Sequence, residues 1–107
     1  MNAWTAWTTQ GILSGTGGVD TVEIGPIHGD LTLHTTWVDG KAALAVQYTG
    51  ATDWFTVTGS PVPAATERHA RDIHQRMVEA AKAGGAATAP HHDLSEAPRP
   101  VLDAGTE

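Results

Sequence analysis

The dipeptide Asp39-Gly40 lies between two stretches in which apolar and polar residues alternate. Such a dipeptide is typical of a two-residue β-turn, because a type I′ turn needs positive φ at both central residues and these two residue types tolerate it. We therefore predict a β-hairpin over residues 30–48. The turn also fixes the register of the hairpin, in which Leu33 faces Val46.

This register divides the hairpin into two faces of different character, since side chains alternate across a strand. One face is predicted to lie in the core and carries Leu31, Leu33, Thr35, Trp37, Ala42, Leu44, Val46 and Tyr48. The other face carries mostly small and polar side chains, which is typical of a sheet with one solvated side. A slip of one residue would expose the apolar set together, so the pattern favours a single register.

Further strands are predicted on both sides of the hairpin. Residues 2–13 are rich in Thr and Trp, residues 19–24 alternate in part, and residues 53–58 carry Phe and Val on one face. Gly25-Pro26 is expected to end the strand over residues 19–24. We therefore expect an α+β fold whose sheet has about five antiparallel strands in a meander-like order.

One C-terminal α-helix is predicted over residues 64–83, which contain no Gly or Pro. Its apolar stripe consists of Ala70, Ile73, Met77, Val78, Ala80 and Ala81. Gly84 and Gly85 are expected to end the helix. We predict a single domain over residues 1–85 and a flexible, disordered acidic tail over residues 86–107, whose apolar surface is too small to offset the entropy of ordering.

The formal net charge of −6 is concentrated in the sheet and the tail. Lys41 is the only basic residue among residues 1–60. This distribution disfavours nucleic-acid binding, which needs clustered Lys and Arg against phosphates. DNA binding through the helix, which carries Arg68, Arg71 and Arg76, is a lesser alternative because acidic residues balance that charge.

The chain has no cysteine and no apolar run of membrane-spanning length. We therefore expect a small soluble protein with no membrane segment, located in the cytoplasm, where disulfides are rare. The many Ala, Gly and Thr residues and the two Lys residues favour a bacterial source with a GC-rich coding genome.

The histidines are candidate metal ligands, but their spacing argues against a site. His28, Asp30 and His34 share one strand face, and two imidazoles with a carboxylate can bind zinc. At about 3.3 Å per residue, however, positions 28 and 34 lie roughly 20 Å apart on a straight strand. His69 and His74 are five residues apart and lie on different sides of a helix, so we predict that both are surface or boundary residues.

Neither a cofactor site nor a catalytic residue is predicted from the sequence. Ser14, Ser60 and Ser95 lack the glycine frame of a nucleophile elbow. His91 and His92 are adjacent in the predicted tail and are expected to hold only adventitious metal. We therefore do not expect an enzyme.

The chain contains four tryptophans, a residue type that is common at binding hot spots. Trp37 lies on the predicted core face of the hairpin. Trp4 and Trp7 are predicted to point to opposite faces of one strand, and Trp54 belongs to another. Because these last three cannot all lie in the core, we assign Trp4, Trp7 and Trp54 as a candidate interaction surface, with internal packing as the alternative.

The features together favour a non-catalytic interaction or accessory module that binds a protein. We also expect a homodimer, formed by pairing of sheet edges or by contact between sheet faces. The alternative function is binding of a small molecule or metal in a cavity between sheet and helix, with His28, Asp30 or His34 at its edge.

Overall fold

The computed structural model describes residues 4–90 and shows an antiparallel sheet packed on one helix, which confirms the predicted α+β fold. The elements are β1 (Trp4–Leu13), β2 (Val19–Thr21), β3 (Gly25–Ile27), β4 (Asp30–Val38), β5 (Lys41–Tyr48), β6 (Phe55–Thr56), β7 (Val62–Pro63) and α1 (Glu67–Ala83). The main sheet has the order β1-β4-β5-β6, with β7 also paired to β5. Strands β2 and β3 form a separate two-stranded sheet.

The hairpin of β4 and β5 has the predicted register, with Leu33 opposite Val46. Asp39 has a φ of 52° and Gly40 a φ of 75°, as the tight turn between the strands requires. Strand β4 lies between β1 and β5, so the hairpin forms the centre of the main sheet.

The core lies between α1 and the apolar face of the main sheet. Its largest fully buried side chains include Leu31, Leu33, Leu44, Ile73 and Met77. Removing one such side chain from water contributes about 1.5–3 kcal/mol to stability. The other face of the sheet is much less covered, since Trp4, Thr8 and Ala43 on that face are exposed. The main sheet therefore has one buried and one solvated side, as predicted.

The prediction of one strand over residues 19–24 is wrong. Strand β2 ends at Thr21, whose hydroxyl donates to the carbonyl of Gly25 at 2.6 Å and accepts the N–H of Ile24 at 3.3 Å. The side chain of Thr21 thus holds a turn where the alternation suggested a strand. Gly25 and Pro26, expected to end a strand, begin β3, because proline is tolerated in a short edge strand.

The sheet edge opposite β1 also differs from expectation. The strand predicted over residues 53–58 is reduced to Phe55–Thr56, and Val62–Pro63 forms a further short strand that was not predicted. Both short strands pair with β5. This edge of the main sheet is therefore divided into two segments of two residues each.

Helix α1 begins later than predicted, at Glu67, because Thr66 acts as its N-cap. The Thr66 hydroxyl accepts the N–H of His69 at 3.1 Å, which satisfies one of the free donors of the first turn. At the other end the helix stops at Gly84, as predicted, and the Gly84 N–H donates to the carbonyl of Ala80 at 2.9 Å.

Residues 86–90, which the sequence places at the start of the tail, pack against the domain. The N–H of Ala89 donates to the carbonyl of Thr58 at 2.8 Å, and Ala89 is buried. The rest of the predicted tail, residues 91–107, lies outside the described residues, as do residues 1–3. Within the described part of the chain, no helix has the length and hydropathy needed to cross a membrane.

Candidate interaction surface

The structure separates the three tryptophans that the sequence grouped as a candidate surface. Trp4 is 66% exposed and Trp54 is 45% exposed. Trp4 pairs with Val38 in the register of β1 and β4, on the solvated side of the sheet. Trp7 lies on the opposite side, packs against the core and has its ring centroid 6.4 Å from that of His74. Trp4 and Trp7 therefore point to opposite faces, as predicted, and of the three only Trp4 and Trp54 are exposed.

We use the term open face for the side of β1, β4 and β5 that is turned away from α1. The register of the strands places Trp4, Ala6, Thr8, His34, Thr36, Ala43 and Ala45 on this face. The middle of the open face carries the small side chains of Ala6, Thr8, Thr36, Ala43 and Ala45, while Thr32, Val38, Lys41 and Gln47 lie on the same face toward its two ends. With about 3.3 Å per residue along a strand and about 4.8 Å between strands, Trp4 lies roughly 15–20 Å from Trp54.

His34 fixes the position of Trp54 on the open face. The ring centroids of His34 and Trp54 are 5.8 Å apart, and the two planes are tilted by 58°. On its other side, the Nδ1 atom of His34 lies 2.8 Å from the hydroxyl oxygen of Thr8. A hydrogen bond across β1 and β4 thus orients the imidazole, and the imidazole in turn supports the exposed indole.

Two carboxylates belong to the segments that form the Trp54 end of the open face. Glu23 accepts hydrogen bonds from the hydroxyl and the N–H of Thr56, at 2.8 and 2.7 Å, and these bonds lower the pKa of its carboxyl. Asp53 precedes Trp54 in the chain and is exposed. Lys41 lies opposite Val38, at the end of the face where Trp4 is found. The chain segment around Trp54 thus carries or binds two carboxylates, whereas Lys41 lies at the end of the face where Trp4 is found.

The structure also contains an internal polar cluster that was not predicted from the sequence. The prediction that His74 is a surface or boundary residue is wrong, since His74 is 4% exposed. Its Nδ1 atom lies 2.7 Å from the hydroxyl oxygen of Thr35 and its Nε2 atom lies 2.8 Å from that of Thr9. A neutral imidazole has one donor and one acceptor nitrogen, and a hydroxyl can serve either, so both ring nitrogens are satisfied.

The environment of His74 favours its neutral form. Burial lowers the pKa of the imidazole, and the positive charge of His34 lowers it further. Both ring nitrogens already bond to threonine hydroxyls, so neither has a lone pair directed at solvent where a substrate or metal could bind. The role of this cluster is to join α1 to β1 and β4 inside the core.

The other histidine candidates do not assemble into a site. His28 and Asp30 are exposed, while His34 bonds to Thr8 on the open face. Within residues 4–90, no three His, Cys, Asp or Glu side chains are grouped closely enough to hold a metal ion. A shallow depression of about 560 Å³ lies on the outer side of α1, where Arg68, Arg71 and Gln75 line it together with Thr66, His69 and Asp72.

No protein-family model, no curated protein and no solved structure matches this chain. Function must therefore be inferred from the chemistry of the open face and of the sheet edges.

Proposed function

We propose that this protein is a non-catalytic interaction module whose open face binds a basic segment of a partner polypeptide. The observation that carries the proposal is the exposure of Trp4 and Trp54 on one face of the sheet, at 66% and 45%. Exposure of the apolar surface of an indole to water is unfavourable in free energy. Tryptophan is also among the residues most enriched at binding hot spots.

The shape of the open face supports a polypeptide rather than a small ligand. Small-molecule sites are concave and enclose most of their ligand. Between the two indoles the open face carries small side chains such as Ala6, Thr36 and Ala43, which are too short to wall off a pocket. An indole at each end of this row of small side chains can hold an extended or helical segment at two points of contact.

The charge of the open face supports a basic partner. Glu23 bonds to Thr56, two residues from Trp54, and Asp53 precedes Trp54 in the chain, so an Arg or Lys side chain bound at this end of the face could pair with a carboxylate. An indole also attracts a cation over its ring, by about 0.5–1 kcal/mol at an exposed site. Complementary charge of this kind raises the association rate and selects against acidic partners. A protein partner of this kind and the absence of cysteine fit a cytoplasmic location.

The test is a titration of the full chain with an arginine-rich peptide, followed by ¹H–¹⁵N NMR. We expect the indole N–H signals of Trp4 and Trp54 to shift, and an acidic peptide of equal length to cause no shift. The indole of Trp37 serves as an internal control, because its Nε1–H donates to the carbonyl of Ala64 at 2.9 Å on the helix side. Binding should weaken as salt is added, since exposed charges are screened.

Two variants, one on each face of the sheet, test whether the open face binds the peptide. Trp54→Ala should weaken peptide binding by roughly five- to thirtyfold, as expected for loss of a hot-spot contact of about 1–2 kcal/mol. Tyr48→Ala is the matched control, because Tyr48 is 41% exposed and pairs with Leu31 on the other face of the sheet. An equal loss in both variants, or no indole shift with the basic peptide at low salt, would refute the proposal.

A further inference from the structure

Strand β1 forms a free edge of the main sheet, since β4 is the only strand of residues 4–90 that pairs with it. It is ten residues long and contains neither a charged residue nor a proline. A strand of this kind presents a row of backbone N–H and C=O groups to any other strand. Monomeric proteins usually interrupt such edges with charge, proline, short strands or bulges.

The opposite edge of the same sheet has these protections. Strands β6 and β7 have two residues each, and Pro63 lies within β7. Proline lacks the N–H that a neighbouring strand would need. The two edges of the main sheet are therefore unequal, and β1 offers the longer segment without charge or proline.

A bulge limits the part of β1 that can be paired. The register of β1 against β4 shifts between Thr9 and Ile12, where Gly11 has a φ of 71°. The regular part of the strand therefore runs from Trp4 to Thr9. This short segment allows only a few registers, which favours a defined dimer over an extended fibre.

We infer that two copies of this chain associate through β1, which pairs antiparallel with β1 of the second copy and joins the two main sheets into one. Antiparallel strands related by a two-fold axis require that the axis is perpendicular to the sheet. Residues that face each other then lie on the same side of the sheet, and both copies of α1 lie on one side. Pairing of the whole regular segment, from Trp4 to Thr9, places the axis close to Ala6 or Trp7.

The surroundings of Trp7 are compatible with this contact. Trp7 is half-buried and lines a depression with Glu67, Arg68 and Arg71 of α1. A two-fold axis beside Trp7 places the same depression of the second copy opposite this one. Each depression contains the carboxylate of Glu67 and the guanidinium groups of Arg68 and Arg71, so opposite charges can face each other across the axis. The dimer would remove the remaining exposed surface of Trp7 from water. It leaves the open face accessible and does not depend on the proposed peptide binding.

Sedimentation equilibrium of the full chain and two lysine variants tests the inference. The wild-type chain of 11.2 kDa should sediment as a dimer. Ala6→Lys should weaken dimerisation at least tenfold, because it places two like charges beside the axis. Ala43→Lys is the matched control, since it adds the same charge to the same face in β5, at a distance from the edge. Circular dichroism should show both variants folded.

A cross-linking experiment gives an independent readout, because the chain has no native cysteine. Ala6→Cys should be captured as a covalent dimer by a short bis-maleimide. Ala43→Cys should not, because five strand spacings of about 4.8 Å would separate the two thiols by roughly 24 Å. A monomeric wild-type chain, an undisturbed Ala6→Lys dimer, or equal cross-linking of both cysteine variants would overturn the inference.

Discussion

The hydroxyl oxygen of Thr35 lies 2.7 Å from the Nδ1 atom of His74, so that a polar contact joins the middle of the main sheet to the middle of α1. Both residues are buried, at 0% and 4% exposure. A buried polar group that loses its partner costs about 1–3 kcal/mol, whereas the completed pair contributes much less. The contact therefore acts mainly by penalising arrangements of the helix in which His74 does not reach Thr35.

Replacement of Thr35 by valine tests this relationship. Thr35→Val keeps the shape of the side chain but leaves Nδ1 of His74 without a partner, so we expect the free energy of unfolding to fall by about 1–3 kcal/mol. Urea unfolding followed by tryptophan fluorescence measures the change. Thr36→Val is the control, because Thr36 is the next residue, lies on the open face and should change stability by less than about 0.5 kcal/mol. Similar losses at the two positions would contradict the assignment.

The pH dependence of stability should reflect the same histidine. Burial, with a smaller effect of the His34 charge, lowers the pKa of His74 from its ordinary value of 6.5. The unfolded chain then binds the proton more readily than the folded chain. This contribution to stability is present above about pH 6.5 and is lost as the pH falls toward the folded-state pKa, by at most about 1.4 kcal/mol per pH unit.

The measurement is urea unfolding at several values between pH 8 and pH 5, with an NMR titration of the His74 ring. Besides His34, the residues that face His74 are Thr9 and Trp7 from β1 and Thr35 from β4, and none of these last three carries a charge. A measured His74 pKa at or above 6.5, or a stability that does not fall over this range, would contradict the prediction.

Gly18 should be the glycine least tolerant of substitution in the β2–β3 region. It has a φ of 62°, and an added Cβ would overlap the carbonyl of Ile27 and lie 2.8 Å from the Cβ of His28. Gly50 also has a positive φ, of 86°, but an added Cβ there meets nothing within 4 Å. Gly50→Ala should therefore cost only the strain of the backbone, about 1–2 kcal/mol. Gly18→Ala should exceed that cost by several kcal/mol or prevent folding. Thermal unfolding of the two variants measures the difference. Equal losses of stability at Gly18 and Gly50 would contradict the prediction.

The central hairpin could be predicted from sequence because two independent signals agree on it. Asp39-Gly40 specifies the turn, and the alternation on both sides specifies which residues face the core. The strand over residues 19–24 was predicted from partial alternation alone, and that prediction is wrong. Residues 19–24 alternate in part, but the hydroxyl of Thr21 bonds within a turn and ends β2.

The burial of His74 was also within reach of the sequence. Position 74 lies between Ile73 and Met77 in the apolar stripe, and Thr35 is a polar residue on the predicted core face. A buried polar side chain needs a hydrogen-bond partner. Polar residues on the core face of the helix and on the core face of the sheet are therefore candidates to bond to each other. His74 was assigned from its spacing to His69 alone. That spacing decides whether the two can share a metal, but it says nothing about a contact between His74 and the sheet.

The candidate surface was only partly predictable. Alternation correctly separates Trp4 from Trp7, because it depends on neighbours within one strand. The contact of Trp54 with His34 depends on the pairing of distant strands, which no local pattern specifies. Equally, the position of β1 at an edge follows from the strand order and not from its own residues.

The order of synthesis gives the edge strand a further consequence. Strand β1 emerges from the ribosome before β4, the strand with which it pairs, whereas β4 and β5 emerge one after the other and can close locally. The uncharged residues of β1 therefore lack their partner in the nascent chain and keep one unpaired side after folding. Both the nascent and the folded chain therefore favour intermolecular association through β1 as the protein concentration rises. At a high rate of expression, aggregation is expected to begin at this strand.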